Sequence, residues 1–274
     1  MKDWNFDPLE LAILAAAGAL YWRRARTLAL RGRPVPRPRL VAFAAGLLTL
    51  VVALASPVDT LGEKRLFSMH MFQHLLIGDV AALLLVLGLD GRLLRPLLRY
   101  RVVHRLRVLA HPLVALPLWA TNFVVWHLPV LFDAAVREDA IHALQHALFL
   151  ALGMLMWAAL IEPLPGPAWF TAPWKIPYVL GMWLVMLVLS QVFIWSGHVY
   201  YAPYAHDPPL WGLGHLADQK AGGGVMLVES AFTMLPALVW VLLLVFRESE
   251  ARQRLVDAGV APGAATRAAR YGRA

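Results

Sequence analysis

Two five-residue words hold the densest chemistry of the chain: HMFQH at 70–74 and HALQH at 142–146, each a histidine, two variable residues, a glutamine and a histidine. On a helix, residues four apart share one face, separated by about 6 Å along the axis. His70 with His74, and His142 with His146, can therefore each aim two imidazoles in one direction. Such pairs on facing helices are how bundles build metal sites. His127, followed by Pro129 in WHLP, closes another apolar stretch and can bring a fifth imidazole to the same layer. The chain has ten histidines and no cysteine, so a metal here would be held by imidazole, thioether, carboxylate, amide or carbonyl groups. Gln73 and Gln145, each one residue before the deeper histidine, are placed to hold a ring nitrogen by hydrogen bonding, as metal-bound imidazoles usually require.

Further polar residues accompany these words. Asp79 lies nine residues after His70, about 13 Å along a helix, where an unpaired carboxylate would be costly. It is expected to face a cavity, a proton path or an imidazole. Asp218 and Gln219 open ADQKAGGGVM, with Met226 and Glu229 beyond. Gly222, Gly223 and Gly224 in that segment read most simply as small residues that let helices approach. Met69, Met71 and Met226 are soft thioethers close to the cluster, although methionine is common in apolar helices. His198, His206 and His215 lie toward the same end of the chain's topology; singly, each reads as readily as an interfacial residue as a ligand.

The elements that must carry these residues are membrane spans. Of 274 residues, 60% are hydrophobic and 15% charged, too apolar for an ordinary soluble domain. Stretches near 8–24, 40–56, 68–89, 112–132, 140–161, 177–197 and 222–246 are each of the order needed to cross a hydrocarbon core of about 30 Å, the first being the shortest. It lacks the basic leader of a signal peptide, since MKDWNFDPLE is acidic and arginines follow instead. Arginine-rich connections follow the first span (Arg23 to Arg39) and the third (Arg92 to Arg107), and a basic segment follows the last. By the positive-inside rule these face the cytoplasm. The expected architecture is thus all-α: a polytopic membrane protein, a seven-transmembrane-helix bundle over 1–246 with its N-terminus outside and C-terminus cytoplasmic. Residues 247–274 are expected as a basic, frayed cytoplasmic tail. The net charge of +8 is explained by topology and by attraction to anionic membrane lipids, not by nucleic acid. His104 and His111 then fall on the cytoplasmic side, and the other eight histidines on the outer side.

With that topology, FSMHMFQHLLIGDVAALLLVLG at 67–88, WHLP at 126–129, IHALQHALF at 141–149 and ADQKAGGGVM at 217–226 together resemble the CtaG family of cytochrome c oxidase assembly factors. The resemblance covers about residues 40 to 246. It implies a multi-pass protein of the bacterial plasma membrane that helps mature a haem-copper oxidase through copper supply, with oxidase subunits as partners and a homo-oligomer as one possible state. The family's motif histidines fall on His70, His74, His127, His142 and His146, and its accompanying polar positions on Asp79, Asp218 and Gln219. Two departures stand out: AALLL follows the Gly78-Asp79 dipeptide where a proline is expected, and Leu227 stands where an aromatic is frequent.

The residues themselves favour a metal more firmly than they favour copper. Imidazole suits zinc, copper, iron and nickel alike, and neighbouring thioethers tilt only weakly toward Cu(I). Copper passed to an apo-oxidase is the leading expectation, which makes the chain an assembly factor more readily than an enzyme. One rival is a zinc hydrolase, with three imidazoles on Zn²⁺ and Asp79 as base. The other is a haem protein with imidazoles as axial ligands. A layer of purely structural histidines is the remaining alternative.

Overall fold

The computed structural model describes residues 4–205 and 210–271, with the backbone alone described at 64, 104, 106 and 271. Among the described residues there is no strand, and helices α1 (Pro8–Leu30), α2 (Arg37–Ala55), α3 (Pro57–Lys64) and α4 (Phe67–Gly88) follow one another closely. Short helical turns lead to α5 (Pro112–Trp126), α6 (Pro129–Arg137) and α7 (Asp139–Ile161). Then come α8 (Ala172–Ile194), the 43-residue α9 (His215–Asp257) and α10 (Pro262–Tyr271).

Five of these, α2, α4, α7, α8 and α9, are long and apolar enough to cross a membrane, and six if Arg101–Ala110 and α5, bent by 76°, count as one span. The first expected span is a helix of 23 residues but is not among them, because Glu10, Arg23, Arg24 and Arg26 cut its apolar stretch short. The expected fourth span is divided. His127 and Leu128 separate α5 from α6, and Pro129 opens α6 in the first-turn position that suits a residue without an N–H. The segment expected to fray is helical through Tyr271: 247–257 continue α9, and α10 packs back against it.

α4 is the central element, packed on α2, α7 and α9. Its approach to α7 needs glycine at 153, where a Cβ would run into the Gly78 carbonyl oxygen, whereas a Cβ on Gly78 would meet Phe149 at 3.2 Å. The same closeness recurs at Gly222 of α9, where a Cβ would stand 2.6 Å from the Phe67 ring. At the arginine-rich end, Glu162 caps α7 with a left-handed backbone, φ 55°. Its carboxylate accepts from Lys175 Nζ at 3.2 Å and from the Arg270 guanidinium, which ties α7, α8 and α10 together.

One irregularity lies inside α4. Leu76–Ala81 form a π-helical turn between two α-helical pieces, a feature concentrated at functional sites. In a regular α-helix, five residues would carry Asp79 about 140° around the axis from His74. The wider turn takes part of that rotation back and brings Asp79 toward α7 and α9, where Trp157 and Thr233 meet it.

Candidate metal centre

Each histidine word forms one stripe of its helix, as i, i+4 spacing requires. The His70 and His74 ring centroids are 4.1 Å apart on α4, and those of His142 and His146 are 4.0 Å apart on α7. The stripes face each other, with His70 5.3 Å from His142 and His74 5.3 Å from His146. His70, His74 and His142 can each offer a ring nitrogen such that all three lie within 4.8 Å of one another. All four rings are buried. His127 is buried beside them in an aromatic pocket of Phe123, Phe132, Phe149 and Phe193, with centroids 4.9 to 6.5 Å away.

Hydrogen bonds set which nitrogen is free in three of the five rings. Tyr204 donates its hydroxyl to the Gly62 carbonyl at 2.6 Å, so the same oxygen accepts from His70 Nδ1 at 3.0 Å. Burial pushes the Tyr204 hydroxyl well above its ordinary pKa, so it keeps its proton. His142 Nδ1 lies 2.9 Å from Glu63 Oε1 on α3, and His127 Nδ1 is 2.6 Å from the Phe123 carbonyl oxygen. With Nδ1 donating in each case, the neutral ring presents its lone pair at Nε2. The Nε2 atoms of His70, His74, His142 and His146, and Nδ1 of His74, are buried with no hydrogen-bond partner among the described residues. Buried nitrogens without partners are rare in folded proteins. Converging lone pairs of neutral imidazoles fit a borderline or soft cation, copper or zinc.

The glutamines behave otherwise than their spacing suggested. Gln73 Nε2 donates to Asp59 Oδ1 at 2.7 Å and to the Ala53 carbonyl at 3.1 Å, and the Gln145 amide has no partner among the described residues. Adjacent helical residues diverge by about 100°, so Gln73 points to α2 and α3 while His74 points to α7. The orienting groups are Tyr204, Glu63 and a backbone carbonyl, none of which stands in a motif. An acidic residue on a short helix just before HMFQH was the one available signal for Glu63.

Asp218 and Gln219 hold the frame of the site. Asp218 accepts from the N–H groups of Phe67 at 2.7 Å and Ser68 at 3.2 Å, and from the Ser68 hydroxyl, thereby capping α4 from another helix. Gln219 accepts from the Tyr200 N–H at 2.7 Å and donates to the His198 carbonyl at 3.0 Å, clamping the loop that delivers Tyr204. His198 is exposed with its ring against Tyr200, and His215 begins α9 half-buried. His206 lies outside the described residues. Met71 and Met226 are buried in the apolar core, with Met71 against the α9 backbone at Gly222, and Met69 is half-buried.

Asp79 is held apart from the imidazoles. Its Oδ1 accepts from Trp157 Nε1 at 2.6 Å and its Oδ2 from the Thr233 hydroxyl at 2.9 Å. Both oxygens are thus engaged away from the cluster, which disfavours the role of base to a metal-bound water. The four rings of the two words pack against one another at 4.0 to 6.2 Å, which leaves no slot for a planar macrocycle between axial ligands.

The model of the cytochrome c oxidase caa3 assembly factor family (Caa3_CtaG) matches residues 19–248. Uncharacterised proteins of Mycobacterium bovis and Mycobacterium tuberculosis are each 29% identical over 281 residues, 93% of this chain and 40% of their own length. One of Mycobacterium leprae is 29% identical over 211 residues, 68% of this chain and 30% of its own. The chain therefore spans less than half the length of these relatives. No solved structure matches. A match that runs from α1 into α9, through every helix that carries an imidazole, makes the chain a member of the cytochrome c oxidase caa3 assembly factor family.

Proposed function

We propose that this protein assembles a haem-copper cytochrome c oxidase by binding copper at His70, His74 and His142 and passing it to the apo-oxidase. The observation that carries this reading is the convergence of three buried imidazoles whose ligating atoms lie within 4.8 Å of one another. Orienting bonds at His70 and His142 leave their Nε2 lone pairs free. His146, in ring contact with His142, supplies an exchange ligand, and His127 a further one. A cargo site needs ligands that can be traded one at a time, and a surplus of neutral imidazoles provides them. Glu63 adds negative charge at the rim, where it draws a cation toward His142.

The chain then lies in the bacterial plasma membrane as seven spans, with α1 as the first and α5 completing the fourth. The N-terminus and the histidine end face outward, and the arginine-rich connections lie in the cytoplasm beside anionic lipid. Oxidase subunits dock at the outer face, where the cargo leaves.

Elemental analysis of purified protein, loaded with Cu(I) and washed, tests this against the His74→Ala/His142→Ala variant. Wild type should retain copper and the variant should lose most of it. Wild type without retained copper sinks the reading. In cells, the variant's oxidase defect should lessen when copper is added, and a defect indifferent to copper would argue against supply.

A further inference from the structure

The deepest polar group of the bundle is a pair of carboxyls that the histidine cluster does not use. Asp79, in the π-helical turn of α4, faces Glu229 of α9. Asp79 is buried, and both of its oxygens already accept hydrogen bonds, from Trp157 Nε1 and from the Thr233 hydroxyl. Both Glu229 oxygens are shut off from solvent and meet no donor among the described residues. Among the described residues, Asp79 of α4, Trp157 of α7, and Glu229 and Thr233 of α9 are the polar side chains that converge here, and none is a cation. Two anions side by side in an apolar layer repel each other, and each loses its hydration. A proton on Glu229, donated to Asp79, removes the repulsion and the desolvation of one of the two anions and gives one of the orphaned oxygens a bond.

Two of these residues border a way out. A cavity of about 450 Å³ has Trp157 and Thr233 in its wall and extends past Phe232, Leu160 and Pro236 to Arg39. Arg39 donates to the Leu87 and Leu89 carbonyls at the arginine-rich end of α4, so the cavity runs from the two groups that hold Asp79, Trp157 and Thr233, to that end of the bundle, and neither carboxyl lines it directly. Pro236 has no N–H, so the Phe232 carbonyl four residues earlier lacks its helical donor and remains a polar point along the wall.

We propose that Asp79 and Glu229 hold one exchangeable proton between them, and that this cavity is its route to the arginine-rich face. The proton passes from Glu229 to Asp79 and on through the Thr233 hydroxyl, which takes it up while giving its own proton to water at the cavity wall as hydronium, and it returns the same way with no change of oxidation state. The consequence for the imidazole cluster is electrostatic. The pair lies about 13 Å below His70 along α4, and a cation seated among neutral imidazoles favours its deprotonated state. Loading of the cluster is then accompanied by proton release, a step that rests on the copper reading, whereas the protonated pair itself does not.

Infrared spectroscopy of the purified full chain tests the pair without any metal. Near neutral pH, wild type should show the carbonyl stretch of a protonated carboxylic acid that shifts on deuteration and is lost in Glu229→Gln. Absence of such a band, or its persistence in both Glu229→Gln and Asp79→Asn, overturns the proposal. Should Glu229→Gln fail to fold, a hydrophobic carbodiimide, which modifies protonated carboxyls, should label Glu229 of wild type as read by mass spectrometry; no label counts against it. Filling the cavity with Ala237→Phe should slow deuterium exchange of the band at least several-fold, and an unchanged rate rejects the route. Metal retained at the pair in His74→Ala/His142→Ala would replace the proton with a cation and also overturn it. Finally, Cu(I) loading of wild type in weak buffer should release protons, and Glu229→Gln should bind copper without that release. Copper bound with equal release by both proteins rejects the coupling, whereas failure of both to bind copper defeats the copper reading and leaves the infrared result standing.

Discussion

At the scale of single residues, an imidazole becomes a useful ligand only when its other nitrogen is held. Glu63 does this for His142 and Tyr204 for His70. Loss of such partners costs metal affinity about 10- to 100-fold in known sites. Glu63→Gln should therefore weaken Cu(I) binding by about that factor in a competition titration, while thermal unfolding changes little, because Glu63 is partly exposed. Tyr204→Phe should weaken binding similarly and also destabilise by about 1 to 3 kcal/mol, since the Gly62 carbonyl loses its buried donor. The ligands bind in their neutral form, and protons compete for the same lone pairs. Affinity should fall steadily as pH is lowered and recover on return to neutrality. An affinity independent of pH would argue against imidazole ligation.

At the scale of elements, the register of α4 against its neighbours decides whether the words meet. A Cβ at Gly153 would collide with the Gly78 carbonyl, and overpacking of this kind costs about 1 to 3 kcal/mol. Gly153→Ala should lower both the unfolding temperature and copper retention, because α4 and α7 must part where their histidines face. Gly224, where a methyl group would meet nothing within 4 Å among the described residues, provides the control, and Gly224→Ala should change neither. Asp218→Ala should remove about 1 to 3 kcal/mol by uncapping α4, read as a lower midpoint of thermal unfolding in detergent. The pairing within each word was legible from i, i+4 spacing. The π-helical turn was not, since nothing in LIGDVA distinguishes it from an ordinary turn of helix; its position depends on how α4 fits against α7 and α9.

For the whole molecule, the absence of cysteine permits a direct test of orientation. Single cysteines placed at Gly197 and at Arg95 should be labelled by an impermeant thiol reagent from opposite sides of the membrane in intact cells, Gly197→Cys from outside and Arg95→Cys only after permeabilisation. Labelling of both from one side would contradict the seven-span topology. The histidine end is also where the polar loop 195–205 folds inward to deliver Tyr201 and Tyr204, both buried. That inward fold places an aromatic and hydroxyl-bearing lid over α4 and α6, and Tyr201 donates to the His127 carbonyl at 2.8 Å.

What the amino-acid sequence determined by itself was everything that depends on local periodicity and composition: helices throughout, apolar lengths suited to a membrane, and two histidine pairs each on one face of its helix. Helical repeat and hydrocarbon thickness are enough to dictate these. The partners of the imidazoles were decided only in three dimensions, because Glu63 lies 79 positions before His142 and Tyr204 134 after His70. So was the meeting of Asp79 with Glu229, which joins residues 150 apart through a π-helical turn. Spacing along a chain constrains which side chains share a face, but which faces oppose one another is set by the packing of whole helices, and chemistry between helices follows from that packing.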